Sequence, residues 1–283
     1  MAIINDLATK QFTGALSRYE EENFFYIASN YLGPISSPFH KPEIIGRLSH
    51  FFSLESNQEA MLSLLDELDQ AILSTLVASG PITSDELLEL LSPIYGYTPL
   101  FWRLPSLQLR LILIAEEGRL YFNPLIADRL LERCSLGAII GEPVAKTTEG
   151  PVLSVEFLRG FLSVVLAEGR LGYRERLATL FPIFEPQHLG ALFTLLEEVL
   201  VDLGVLTDTR PPQMSAERVD SLLALDDTSL IVLVAASRFD TRHFPAAVAC
   251  SRTIVATLQQ AGSLSEEAFT LLLATLTKRY NLP

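Results

Sequence analysis

A segment that reads as helix, glycine, helix occurs three times in this chain. Residues 70–96 read QAILSTLVASGPITSDELLELLSPIYG, residues 159–185 read RGFLSVVLAEGRLGYRERLATLFPIFE, and residues 252–278 read RTIVATLQQAGSLSEEAFTLLLATLTK. Gly80, Gly169 and Gly262 hold the same place, 89 and 93 residues apart. The first two copies share a tail as well, Leu91-Ser92-Pro93-Ile94-Tyr95 against Leu180-Phe181-Pro182-Ile183-Phe184. A period near 90 residues is too long for a solenoid repeat. It is the size of a small domain, so the pattern predicts a tandem array of related domains.

Around the first copy the order of elements can be read in detail. Apolar periodicity and a Pro-rich break predict a helix over 8–32, then helices over 42–52 and 56–66. The repeat itself opens with a helix over 67–79. Gly80-Pro81 stops it, because glycine tolerates a left-handed cap and proline cannot continue a helix. Ile82 is placed for a single strand contact. Ser84 then caps a second helix with Asp85 and Glu86 in its first turn. A third helical element covers 98–107. The β-prone runs 109–115 and 119–122, separated by Glu116-Glu117-Gly118, predict a hairpin. Helix, turn, helix, helix, hairpin is the order of a winged-helix domain.

The second copy repeats the plan, with helices over 155–167, 173–181 and 188–203. A shrunken wing then runs from Gly204-Val205-Leu206-Thr207 to Pro211-Pro212. The third copy runs from near Ser229 and ends after its second helix. The expected fold class is therefore mainly α, with tandem winged-helix-like domains and small β-hairpin wings. The expected divisions are an N-terminal helical region 1–60, winged-helix-like domains over 61–141 and 152–212, and a partial third helical repeat over 213–283. The glycines and prolines of 134–151 mark the linker.

Composition decides what such domains could touch. The chain carries 34 acidic against 21 basic residues, a net charge of −13. Gripping duplex DNA calls for a basic face, so independent DNA binding is expected to be weak or absent. No run supplies the roughly 18 apolar residues of a spanning helix. The opening MAIINDLATKQF lacks the basic and apolar regions of a signal peptide. Cys134 and Cys250 sit in apolar helical contexts and form no CxxC, which fits buried thiols in a reducing cytoplasm.

The sequence offers no nucleotide loop, no GxGxxG after a strand and no GxSxG elbow. His40, His50, His188 and His243 are scattered singly, so neither a metal nor a cofactor is expected, and no enzymatic activity. If nucleic acid is touched, the third helix and wing of the first domain would supply Arg103, Arg110 and Arg119. Arg170, Arg174 and Arg176 are the candidates in the second domain, with Arg238, Arg242 and Arg252 near the third. Glu116 and Glu117 stand at the expected wing tip, where phosphate would call for lysine or arginine. The truncated third repeat should leave an apolar face of Phe244, Val248, Ile254, Leu258, Phe269 and Leu272. Unit two, a second copy or a protein partner would have to cover it.

The region 16–141 resembles the helical and winged-helix region N-terminal to the motor in bacterial XPB-type DNA-repair helicases. The resemblance rests on LSRYEEENFFYIASNYLGPISSP, PEIIGRLSHFFSLESNQEAMLSLLDELDQAILSTLVASGPITSDELLELL, LRLILIAEEGRLYFNPLIADRLL and SLGAIIG, in that order. No motor motif is present, so the family's ATPase activity does not carry over. The resemblance implies a cytoplasmic, non-catalytic adaptor or regulator in DNA repair or transcription, with a helicase or other DNA-processing protein as partner. The charge balance keeps open an acidic winged-helix scaffold of a chromosome-segregation complex that binds protein chains.

Overall fold

A computed structural model describes residues 2–35, 38–140, 155–168, 179, 186–207, 209, 213–240, 242–261 and 264–283. Its described residues are mainly helical, with 15 helices and one two-stranded antiparallel sheet. The chain divides into two compact units, Met1–Pro143 with Leu264–Arg279, and Val144–Ser263 with Tyr280–Pro283.

The first unit opens on α1 (Ala2–Ser17) and α2 (Glu21–Leu32), where the sequence predicts one helix over 8–32. A continuous helix of that length would be about 38 Å long. It could not bring Phe12 and Leu16 into the same core as Phe24 and Ile27, and all four are buried. The chain therefore folds back at residues 18–20. The Lys41 ammonium stabilises the break by donating to the Ser17 and Tyr19 carbonyls at 2.9 and 2.6 Å. It also stands 5.0 Å above the Phe24 ring. Helices α3 (Lys41–Ser53), with Pro42 in its first turn, and α4 (Glu55–Leu62) complete this layer. Phe12, Tyr31, Phe51 and Phe52 interlock in its centre.

Next come α5 (Glu67–Ser79), α6 (Ser84–Tyr95) and α7 (Tyr97–Leu109). Gly80 stops α5 with φ +79°, a conformation only glycine adopts freely. The cap of α6 is Thr83, not Ser84. The Thr83 hydroxyl accepts the Glu86 N–H while Glu86 accepts the Thr83 N–H, a reciprocal box.

Strands β1 (Leu113–Glu116) and β2 (Arg119–Phe122) pair with Leu113 opposite Phe122 and Glu116 opposite Arg119. Their two-residue connection, Glu117-Gly118, has positive φ at both positions, which matches the twist of a hairpin. The expected first strand is shorter than the apolar run, because α7 extends through Leu109. Ile82 makes the anticipated strand contact: its carbonyl accepts the Leu120 N–H at 2.8 Å, and Thr83 bridges Arg119. Short helices α8 (Ala127–Arg133) and α9 (Leu136–Ile140) close the N-terminal stretch, α9 lying in the segment expected to be linker.

The second unit contains α10 (Val155–Glu168), α11 (Pro186–Asp202), α12 (Ala216–Leu223), α13 (Asp227–Ala236) and α14 (Phe244–Ala261). Phe157, Phe161, Leu162, Leu196, Leu200 and Val219 form its core. Arg159 ties the connection between α12 and α13, donating to the Leu223 and Leu225 carbonyls and to Asp227. Where the sequence places a shrunken wing, the described residues show the bridge of Leu206 to Met214. Apart from Thr179, the helix expected over 173–181 falls outside the described stretches, as do Gly169, Pro182 and Gly262, so the alignment of Gly80 with Gly169 and of Pro93 with Pro182 does too.

The third repeat is divided between the units. Its second helix, α15 (Glu266–Arg279), packs in the first unit against α5, α6 and α9. There Leu271 joins the core, and Lys278 reaches Glu86 at 3.2 Å.

Candidate functional site

Nucleic-acid contact was expected from α7 and the residue that ends it, and the arginines there, Arg103 and Arg110, pair with acids at the start of α5. Asp69 lies in the first turn of α5 with its side chain fully buried. It accepts the Asp66 N–H at 3.3 Å while Asp66 accepts the Asp69 N–H at 2.9 Å. Arg103 on α7 and Arg110, the residue that ends it, stand seven residues apart, about two turns along one face, so both can reach the start of α5. Arg103 Nη2 pairs with Asp66 at 2.6 Å, and Arg103 Nη1 lies 3.4 Å from Asp69 Oδ1. Arg110 Nη1 lies 3.4 Å from Asp69 Oδ2. Tyr31 completes the cluster by donating to the Arg110 carbonyl at 2.5 Å.

The titrations follow from these contacts. Burial alone would raise the Asp66 carboxyl, but the Asp69 N–H and the Arg103 guanidinium outweigh it and hold the group below its ordinary value. Burial pushes the Tyr31 phenol up to about 12, against a smaller lowering by the Arg110 charge. The Thr83 N–H, with Lys278, holds Glu86 below the usual glutamate value. Burial raises both thiols, Cys134 and Cys250, so neither is poised as a thiolate.

Arg119 lies on β2, exposed, and donates to the Pro81 carbonyl at 2.8 Å. Glu117 is exposed at the hairpin tip, and Glu116 is ion-paired with Arg18. Arg170, Arg174 and Arg176 lie outside the described residues. Arg238 bonds to Glu198 and Asp202, and Arg242 to Asp240. Arg252 is exposed on α14.

The six apolar residues expected to share one face do not share one environment. Leu272 is fully buried and Phe269 is 38% exposed, both on α15. Phe244, Val248, Ile254 and Leu258 are half-buried on α14. Leu272, being fully buried, is no part of an open surface, and the two helices of the C-terminal repeat fall in different compact units.

What sequence reasoning missed is the outward face of α7. Tyr97, Phe101 and Trp102 are 57%, 45% and 69% exposed, and Leu109 is exposed beyond them. Tyr97 stacks on Phe101 at 5.6 Å and Phe101 meets Trp102 edge-on. The available signal was the i, i+4 spacing of Tyr97 and Phe101 beside the sole tryptophan of the chain. Among the described residues, no group of three or more His, Cys, Asp or Glu could hold a metal ion, and no helix is long and apolar enough to cross a membrane.

The family model TP_0021_N, described as an N-terminal domain, matches residues 3–53, the stretch that forms α1 to α3. No curated protein and no solved structure matches the chain.

Proposed function

We propose that this chain is a non-catalytic adaptor or regulator, and that its first unit is a winged-helix-like module that engages protein. The module is the sequence α5, bridge, α6, α7, hairpin, with Ile82 and Thr83 paired to β2. One observation carries the reading. The third helix, which in such a module would read DNA, commits Arg103 and Arg110 to Asp66 and Asp69 and turns aromatic side chains outward. Clustered exposed aromatic side chains mark interaction sites, and tryptophan and tyrosine are enriched where binding energy concentrates. The acidic hairpin tip and the net charge of −13 oppose phosphate. The resemblance of residues 16–141 to the region beside the motor of XPB-type helicases supports a helicase-associated role in DNA repair or transcription.

The test is purification of the tagged full chain from its native cells after nuclease treatment, beside duplex-DNA titrations in increasing salt. A motor ATPase recovered with the chain, and weak DNA binding with a shallow salt slope, are expected. A coiled-coil chromosome protein in its place would favour the segregation-scaffold role. Recovery of no protein, or nanomolar duplex binding at physiological salt with a steep slope, would overturn the proposal.

A further inference from the structure

The exposed face of α7 borders a trough whose other wall is α2. Two recesses of about 510 and 380 Å³ lie along it and share Pro105 and Leu109. On α2 the wall is built by Asn23, Ile27 and Asn30, spaced at i, i+4 and i+7. On α7 it is built by Trp102, Pro105 and Leu109, at i, i+3 and i+7. Each set is one face of a helix two turns long, about 10 Å. The trough thus runs between two helices, and its length matches two turns of a third.

Its chemistry selects the occupant. Ile27 is buried beneath the trough, whereas Trp102 is 69% and Leu109 39% exposed beside it. Glu20 lines the recess at the Asn23 end, followed in the chain by exposed Glu21 and Glu22, and among the described residues no lysine or arginine lines that recess. The cation lining the other recess, Arg110, is already paired with Asp69. An apolar trough with an acidic end fits a positively flanked amphipathic helix. It repels phosphate, and a second copy of a chain of charge −13 brings like charge against it.

We infer that the trough between α2 and α7 receives an amphipathic helix of a partner protein. Large apolar side chains of that helix seat against Trp102, Pro105 and Leu109, and lysine or arginine flanks meet Glu20 to Glu22. This is the helix-in-groove mode of recognition. It rests on the reading of the first unit as a protein-docking module and names the surface and the chemistry of what docks.

The experiment uses the full chain and a fluorescein-labelled, tryptophan-free 18-residue peptide of leucine and lysine with an amphipathic helical pattern, beside its leucine and glutamate counterpart. Trp102 is the sole tryptophan, so its emission reports on the trough directly. The lysine peptide should bind, shift Trp102 emission to shorter wavelength, and bind at least tenfold more weakly to Trp102→Ala and to Leu109→Ser by anisotropy. Leu64→Ser, at another exposed leucine that does not line the trough, should leave binding unchanged. Because all three side chains are exposed, circular dichroism should be unaltered.

Equal binding of the two peptides overturns the inference. So does lysine-peptide binding that ignores both trough variants. A dimer in sedimentation that Trp102→Ala dissolves would assign the trough to a second copy, and quenching of Trp102 by oligo-dT at physiological salt would assign it to nucleic acid; either result overturns it. If Trp102→Ala and Leu109→Ser chains still recover the native partner, the trough inference fails and the adaptor reading stands. If the wild-type chain recovers no protein, the adaptor reading fails by itself.

Discussion

Replacing Asp69 by asparagine keeps the shape of the buried carboxyl and removes its charge. Asparagine can still accept the Asp66 N–H, so the start of α5 is kept. The cost falls on α7. Arg103 retains Asp66 at 2.6 Å, but Arg110 loses the carboxylate 3.4 Å away. Among the described residues Arg110 Nη2 is already buried without a hydrogen-bond partner. Removing one member of a buried ion pair costs about 3–5 kcal/mol. The Arg110 side chain is 27% exposed, so water relieves part of that, and about 2–3 kcal/mol is expected. For a unit of this size that lowers Tm by about 4–12 °C. Urea unfolding followed by Trp102 emission measures it, since Trp102 sits on α7 beside Arg103, with Arg110 at the end of that helix. The triple change Asp69→Leu, Arg103→Met, Arg110→Met should recover most of the loss, because replacing a whole buried ionic cluster by apolar groups is often neutral. A single-variant change below about 0.5 kcal/mol, the size of an ordinary surface substitution, would refute the view that Asp69 anchors the third helix.

Three further outcomes follow from other contacts. Leu271→Ala should destabilise the first unit by about 2–4 kcal/mol and speed hydrogen exchange in α5 and α6; unchanged exchange there would contradict the placement of α15. Glu86, held low by the Thr83 N–H and Lys278, stabilises above the ordinary glutamate pKa of about 4.3, and that contribution is lost as pH falls through the lower folded value. Glu86→Gln should flatten the acid-side loss of stability, and parallel acid titrations of variant and wild type would argue against the contact. In the second unit, Gly204 has φ +65°, and a Cβ there would meet the end of Arg218, which donates to the Leu203 carbonyl. Arg218 can swing aside, so Gly204→Ala should cost about 1 kcal/mol from the backbone alone, measured by thermal unfolding; no loss of stability would count against the left-handed conformation.

The local features of the first unit were legible because short-range chemistry decides them. Gly80-Pro81 had to stop a helix, and Glu116-Glu117-Gly118 between apolar runs had to turn a hairpin. The break at residues 18–20 was not legible, since neither glycine nor proline marks it and Lys41, which stabilises it, comes more than twenty residues later. Nothing in the local sequence sets Asp69 apart from Glu67, the other acid in the first turn of α5. The burial of Asp69 depends on Arg103 and Arg110, 34 and 41 residues along the chain. The basic residues of α7 therefore read as candidates for contact with nucleic acid, when the fold spends them on itself. The aromatic trough was missed because neither of its walls is unusual alone; it exists only where residues of α2 and α7 line the same recesses.

The placement of α15 has a consequence for how the protein is made. A ribosome delivers the chain from its N-terminal end at about 5–20 residues per second. Leu271, part of the first unit's core, follows Ile139 by 132 residues, so it arrives roughly 7–26 s later at that rate. During that interval the faces of α5, α6 and α9 that α15 will cover stand open to water. The nascent first unit is thus the stage most exposed to aggregation or to a chaperone. The second unit, whose stretch 144–263 is contiguous in the chain, can fold before the first is complete.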